Sequence, residues 1–418
     1  WLDAYLYGEP ESCWVAEDEE GVQGYLVGSM KPGFKARALR LLLPHLPKGI
    51  GRLITGKYRH HPPSERFIKW LAFRSWRETP EHPQPGGNFH FNVRADRQGS
   101  EAAGTEMLAA FIGDLKDRGI PLLYAHVFLN SRARRSLFYR RLGLALYDLR
   151  KTTLYPEEAA IACYVTEPPS VENVFETRRW AKKRAKISVV IPAHNEAHTL
   201  PTLLDCLDRQ WHKPDEIIVV CDHCTDETEA IALARGCKTV VGAYGHPGPC
   251  RNAGIKVAKG DVVLLVDADA LLEKEVVGQA VGAYQRGYRL GGPKLRADDG
   301  PWHARLWVWL QNLMGRLGPF HYGTCFFAAR ELFTEVGLYN EALGWGEDVE
   351  ISLRMAKRGK RIRLPSAATY NARHFEEHGF PEFLRRVQKM LKSIAPVRRS
   401  LMGADSIPRL EPKGSPDA

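Results

Sequence analysis

The sequence predicts an α/β protein of two domains, and three observations lead there. From 187 to 266, runs rich in Val and Ile alternate with helical patterns, as a parallel sheet covered by helices requires. Ahead of that stretch, strand and helix signals follow a different rhythm. Between the two, Glu167-Pro168-Pro169-Ser170 and the basic run Arg178 to Lys186 read as an extended linker. The expected boundaries are a first domain over 1–165, a linker over 166–186, a second domain over 187–395 and a tail over 396–418.

In the first domain, strand signals fall at 13–16, 24–29, 89–93 and 122–128. Met107, Leu108, Phe111, Ile112 and Leu115 share one face of a helix expected from Gly104 to Arg118. A shorter helix fits 131–141. In the second domain strands are expected at 187–191, 216–220 and 262–266, with helices starting at Thr199 and Asp226. Trp302, Leu306, Trp309, Leu310 and Leu313 recur at helical spacing and read as a core-facing stripe.

The chain has 418 residues and a net charge of +10. Residues 31–79 carry twelve Lys or Arg against Glu65 and Glu78, which accounts for the whole excess. This segment would sit between two central strands and attract an anionic partner, as a lid, a solvated face or a contact with an anionic membrane. Nucleic acid is not expected, because no recognition module accompanies the charge. Eight cysteines show no framework spacing, and Cys221-Asp222-His223-Cys224 has no second pair for zinc. No apolar run approaches the roughly 18–20 residues that span a bilayer. The chain opens on Trp1 and reads as trimmed; a cytoplasmic protein, peripheral at the inner membrane face, is expected.

The sharpest chemical signal is Val262-Val263-Leu264-Leu265-Val266-Asp267-Ala268-Asp269. A buried strand runs into two carboxylates at i and i+2, which share a face and can turn toward one hard cation. Asp also caps helices and starts turns, so the pair needs company. The other strand ends supply it, and in parallel sheets ligands sit beyond the carboxyl ends of strands. After the first strand of the second domain comes Pro192-Ala193-His194-Asn195-Glu196, and after the second Cys221-Asp222-His223-Cys224-Thr225-Asp226. Further on stand Arg251-Asn252-Ala253-Gly254 and Gly344-Trp345-Gly346-Glu347-Asp348.

These five motifs, in this order over 187–386, resemble a family 2 glycosyltransferase of the GT-A fold, a Rossmann-like nucleotide-diphospho-sugar transferase. The resemblance implies that Pro192, Ala193, Asn195, Glu196 and Asp222 line the nucleotide's base and ribose. It implies that Arg251 and Asn252 approach the diphosphate, with Asp267 beside them. Asp269 becomes the direct ligand of Mn²⁺ or Mg²⁺, with Asp267 as its companion. Glu347 and Asp348 match the acceptor-activating pair, with Asp348 the base. His374 stands where some relatives supply a third metal ligand, in a stretch that also resembles a phosphate-facing one. Where the family has Asp-Asp-Gly-Ser, this chain has Cys221-Asp222-His223-Cys224; one carboxylate survives, so nucleotide binding is still expected and the base preference is left open. The chemistry suits these residues: a cation stabilises charge on the leaving diphosphate, and a carboxylate takes the acceptor's proton. A single displacement would invert the anomeric carbon; a retaining transferase of similar fold is the other reading. The acceptor is a hydroxyl on a carbohydrate, a lipid-linked species or a small molecule.

The first domain resembles a GNAT N-acyltransferase through the order strand, Gly-containing turn, helix, strand, then Asn130 and Phe138-Tyr139-Arg140-Arg141-Leu142-Gly143. That resemblance implies an acyl-CoA site at Val93, Gly99, Ala103, Gly104, Asn130 and Tyr139, with Tyr139 protonating the leaving thiolate. Backbone N–H groups at a helix start would hold the pyrophosphate. The turn Gln98-Gly99-Ser100-Glu101-Ala102-Ala103-Gly104 lacks the family's middle Gly, and the chain begins late relative to it. The sequence therefore predicts either a bifunctional enzyme that also uses acetyl-CoA or another acyl-CoA, or a glycosyltransferase with a docking domain in front.

Overall fold

The structure, a computed structural model, describes residues 3–19, 21–57, 61–93, 100–130, 144–155, 157–166, 185–297, 300–318, 320–402, 407–408 and 410. The chain divides into two compact units, Trp1–Arg184 and Ala185–Ala418. Most of the expected linker, 167–184, lies outside the described residues.

The first unit holds a six-stranded sheet of β1 (Cys13–Asp18), β2 (Gly21–Ser29), β3 (Gly87–Val93), β4 (Leu123–Asn130), β5 (Ala145–Thr152) and β6 (Ala159–Thr166), ordered β1-β2-β3-β4-β6-β5. The helix Ser100–Asp117 crosses between β3 and β4, and its stripe of Met107, Leu108, Phe111, Ile112 and Leu115 is at most 5% exposed. β3 and β4 are parallel but pair only at Gly87 with Leu123 and Asn88 with Tyr124; beyond that they diverge. The turn expected over 98–104 is helical from Ser100, since Glu101-Ala102-Ala103 favours helix. Ala103 and Gly104 therefore lie inside the helix rather than at its start. The expected helix over 131–141 falls outside the described residues.

The basic segment between β2 and β3 folds into the helices Phe34–Leu42, Leu46–Ile54, Pro62–Phe73 and Ser75–Glu78. Its start is tied down by Glu9, which is buried. Ser29 Oγ, the N–H of Met30 (2.7 Å) and Arg37 all donate to the Glu9 carboxylate. Leu43, Ile54, Phe73 and Trp76 nevertheless face solvent.

The second unit is built on an eight-stranded sheet. Its strands are β7 (Ile187–Ala193), β8 (Glu216–Asp222), β9 (Lys238–Gly242), β10 (Val262–Val266), β11 (Leu271–Leu272), β12 (Leu290–Arg296), β13 (Cys325–Ala329) and β14 (Arg361–Thr369), in the order β11-β14-β12-β13-β10-β7-β8-β9. β10, β7 and β8 are parallel as expected, and β9, which the sequence reading did not include, extends them in the same direction. β13 runs antiparallel between β10 and β12, so the sheet is mixed rather than purely parallel. Val189, Ile191 and Leu264 bury on one face, Val190, Val263 and Leu265 on the other, which is why these strands read as continuous apolar runs. The helix Pro247–Val257 packs close to the sheet because Gly254 has no side chain. A Cβ there would stand 2.3 Å from Val190 Cγ1 and 2.9 Å from Val220 Cγ2.

Two expectations are corrected. The tail expected from 396 is helical to Met402, as the end of the helix Phe380–Met402. Further on, the N–H of Leu338 donates to Pro408 O (2.7 Å) and Leu410 is buried. The helix Trp302–Leu317 buries Ala304, Trp307, Val308 and Gln311, whereas Trp302 and Trp309 are 63% and 58% exposed. The periodicity marked the helix, but its buried face is offset from the stripe. Among the described residues no helix is long and apolar enough to cross a membrane.

Candidate active site

β10 ends in a tight turn. The N–H of Asp267 donates to Thr324 O on the neighbouring strand's approach (3.2 Å), and Ala270 N–H donates to Asp267 O (3.0 Å). Asp267 and Asp269 thereby leave the sheet on the edge where β7 and β8 also end. Burial pushes the Asp269 carboxyl up to about 7; Asp267 and Glu196 add to this, and Arg373 opposes it.

The second pair starts the helix Glu347–Ala356, where acidic side chains suit the positive end of the helix dipole. This helix is anchored by a buried fork. Arg354 grips both Glu350 oxygens at 2.8 Å, and Ser400 Oγ donates to Glu350 Oε1 (3.0 Å). Asp348 accepts from the N–H of Gly323 (3.0 Å) and of Val349 (2.7 Å). Burial raises its carboxyl above the usual carboxylate range. Glu347 adds to that rise, while Arg251 and the two N–H donors oppose it.

Arg251 joins the two pairs. It is buried, with Nη2 2.8 Å from Asp267 Oδ1 and Nη1 2.8 Å from Glu347 Oε1. Gly323 makes the room: a Cβ there would lie 2.3 Å from Arg251 Nη2. All five charged side chains, Arg251, Asp267, Asp269, Glu347 and Asp348, border one cavity of about 790 Å³. Apolar side chains also line it, among them Trp307, Leu310, Met314, Met390 and Ile394. Tyr322, Tyr370 and Arg386 also border it, and no motif in the sequence singled them out.

The other expected donor-binding residues form a separate cluster at the ends of β7 and β8. Asn195 Oδ1 accepts from the N–H of Thr225 (2.8 Å), and Glu196 N–H donates to Thr228 Oγ1 (2.8 Å). Asp222 Oδ1 accepts from the N–H of Tyr244 (2.6 Å) and Gly245 (3.1 Å) and from His223. Burial would raise the Asp222 carboxyl, but these donors outweigh it and hold it below its ordinary value. Pro192 and Ala193 complete β7 beside this cluster, and the effect of Glu196 on Asp269 links it to the end of β10. Asn252 does not border the cavity. It is buried, donating to Tyr339 O (2.9 Å) and accepting from Tyr339 N–H (2.8 Å), so its amide is committed to holding that turn.

The donor set suits a hard divalent cation. Asp267 and Asp269 offer only oxygens, and two neighbouring carboxylates with one pushed up in pKa form a site that a positive charge relieves. Among the described residues no three His, Cys, Asp or Glu side chains gather for a metal. The His374 side chain lies outside the described residues, as do Gly99, Tyr139 and the side chains of Val93, Ala103 and Asn130. Gly104 is buried within its helix.

Sheet and site together define an α/β domain in which strand-end and helix-start carboxylates meet at one cavity of a mixed sheet. Residues 188–335 match the model of glycosyl transferase family 2, so the second unit carries a domain of that family. An uncharacterised glycosyltransferase of Mycobacterium tuberculosis is 26% identical over 183 residues, covering 42% of this chain and 81% of that protein. The amylovoran biosynthesis glycosyltransferase AmsB of Erwinia amylovora is 34% identical over 116 residues, 25% of this chain and 37% of its own length. Among solved structures, the mannosyltransferase PcManGT of Pyrobaculum calidifontis, in complex with GDP-Man and Mn²⁺, is 20% identical. It matches with a TM-score of 0.42 over 52% of this chain and 65% of that one.

Proposed function

We propose that the second unit transfers a sugar from a nucleoside-diphosphate donor to an acceptor hydroxyl, with Asp348 as base and with inversion at the anomeric carbon. One observation carries the reading: the strand-end pair and the helix-start pair open onto the same cavity and are held in register by Arg251. Asp269, with Asp267, would hold Mn²⁺ or Mg²⁺, which when bound supplies positive charge for the departing diphosphate. The cluster around Asn195, Glu196 and Asp222 would seat the nucleoside. Asp348 is poised for proton transfer because burial lifts its proton affinity toward neutral pH while its N–H donors fix its direction. Arg251 stands between Asp267 and Glu347 and is bonded to each.

The test is a screen of nucleotide sugars with Mn²⁺ by thermal shift. Turnover of the stabilising donor and the anomeric configuration of the product by proton NMR follow. Inversion supports the single displacement; retention overturns it. Asp269→Asn should abolish the Mn²⁺-dependent part of nucleoside-diphosphate binding.

For the first unit, the divergence of β3 and β4 favours an acyl-CoA site. These two parallel strands pair at two registers and then part, which opens a gap between them. We infer that an acyl-CoA occupies that opening, and calorimetry of acetyl-CoA against the full chain tests it. No heat would leave the unit as a docking module.

A further inference from the structure

A second cavity, of about 250 Å³, opens among β12, β14, the helix Trp302–Leu317 and the segment 320–325. Three guanidinium groups border it, those of Arg316, Arg361 and Arg363, and none of the described residues around it is acidic. Arg363 is fixed by Asn312: Nη1 donates to Asn312 O (2.8 Å) and Nη2 to Asn312 Oδ1, while Asn312 itself exchanges hydrogen bonds with Leu295 on β12. Arg361 donates to Gly318 O.

The same cavity gathers unmet hydrogen-bonding capacity. Arg363 Nε, His321 Nε2, Tyr322 OH and Gln311 Oε1 are buried with no hydrogen-bond partner, and all four residues border the cavity. Buried polar atoms are almost always paired, so four together call for an explanation. Burial, with Arg361 and Arg363 alongside, lowers His321 to about 4, so its ring is neutral at ordinary pH, with one N–H and one lone pair. Burial also lowers Arg363; Tyr322 opposes this and Arg316 adds to it. Like charges collected without a counter-charge mark a place for an anion, and arginine forks match the oxygens of a phosphate.

The cavity adjoins the one bordered by Asp348. Gln311, Phe320 and Tyr322 border both. His321 N–H donates to Ser352 Oγ (3.2 Å), and two residues on, Gly323 N–H donates to Asp348 Oδ2 (3.0 Å). The segment 320–323 is thus pinned to the helix that carries the proposed base.

We propose that this cavity is an anion subsite for the acceptor: it takes a phosphate monoester group while a hydroxyl of the same molecule reaches Asp348. The hydroxyl half rests on the transferase reading; the anion half does not.

Calorimetric titration of the full chain with inorganic phosphate and with glycerol 3-phosphate tests it, for the wild type, Arg316→Gln/Arg361→Gln and Asp269→Asn. Arg316 and Arg361 are exposed, so the double variant should unfold at the wild-type temperature when phosphate is absent. The expected result is binding that weakens at least tenfold in the double variant and is unchanged in Asp269→Asn. No heat with the wild type, or equal affinity in the double variant, overturns the proposal. Displacement of phosphate by a nucleoside diphosphate would place it at the donor end and overturn it as well. Arginine-dependent co-sedimentation with phosphatidic acid vesicles would assign the phosphate to a lipid headgroup, and binding of glycerol 3-phosphate alone to a soluble acceptor. If phosphate binds as expected but no nucleotide sugar is turned over, the transferase reading fails and the subsite stands.

Discussion

The two carboxylate pairs of the cavity are built from different elements yet obey one plan. Asp267 and Asp269 hang from the end of a central strand; Glu347 and Asp348 begin a helix. In each pair one member is bound to Arg251, Asp267 at 2.8 Å and Glu347 at 2.8 Å. In each the other member is lifted in pKa, chiefly by burial and then by its own neighbour. The difference lies in what surrounds the lifted carboxyl. Asp269 faces Glu196 as well as Asp267, an excess of negative charge that suits a cation. Asp348 is aimed by two backbone N–H groups, an arrangement that suits a directed proton transfer. A single arginine therefore ties a pair suited to holding a cation to a pair suited to handling a proton.

If that division holds, the largest effect belongs to Asp348→Asn. Losing a positioned base costs about 10²–10⁴ in rate. The expected outcome is a fall in kcat of about 10³ with the donor's dissociation constant unchanged, read by initial rates and calorimetry. A loss of donor affinity of the same size would erase the contrast between the pairs. Next comes Arg251→Met, which removes the tie to both pairs and leaves buried carboxylates facing each other. Breaking a buried ion pair from one side costs about 3–5 kcal/mol, so chemical denaturation should report a loss in that range. Gly323→Ala should be milder. Its Cβ would meet Arg251 Nη2 at 2.3 Å and push the guanidinium aside without deleting it. An overpacking cost of about 1–3 kcal/mol is expected, with partial loss of turnover.

Much of this plan was legible in the sequence because strands and their ends are local. The Val and Ile runs at 187–191 and 262–266 bury both faces, and the polar residues that follow them sit where such strands must end. Other features were not local. Nothing in the order of residues placed Arg251 between Asp267 and Glu347, sixteen and ninety-six positions away. The antiparallel β13 was unreadable for the same reason, since its pairing with β10 joins segments about sixty residues apart in the chain. The stripe Trp302, Leu306 and Trp309 found the helix but not its buried face, because periodicity gives a direction only once the neighbours are known. Asn252 looked like a ligand-facing residue by motif, yet its amide is satisfied by Tyr339.

The finest test of the comparison is pH. As a base Asp348 must be ionised, and its folded carboxyl lies above the usual range because burial and Glu347 both favour the proton. Activity should therefore fall as pH drops through that raised value, and the acid limb of kcat/KM should lie above the ordinary carboxylate range near ~4. For stability the sign is opposite. A group whose folded pKa is raised contributes stability below its unfolded pKa, and that contribution disappears as pH rises through the folded value. Two substitutions should move the limb in opposite directions. Glu347→Gln removes a neighbour that raises Asp348, so the limb should move to lower pH. Arg251→Met removes a neighbour that lowers it, so in whatever fraction remains folded the limb should move to higher pH. Limbs that shift together would mean that the pair and its arginine act through the fold alone, and that the carboxyl of Asp348 does not set the rate.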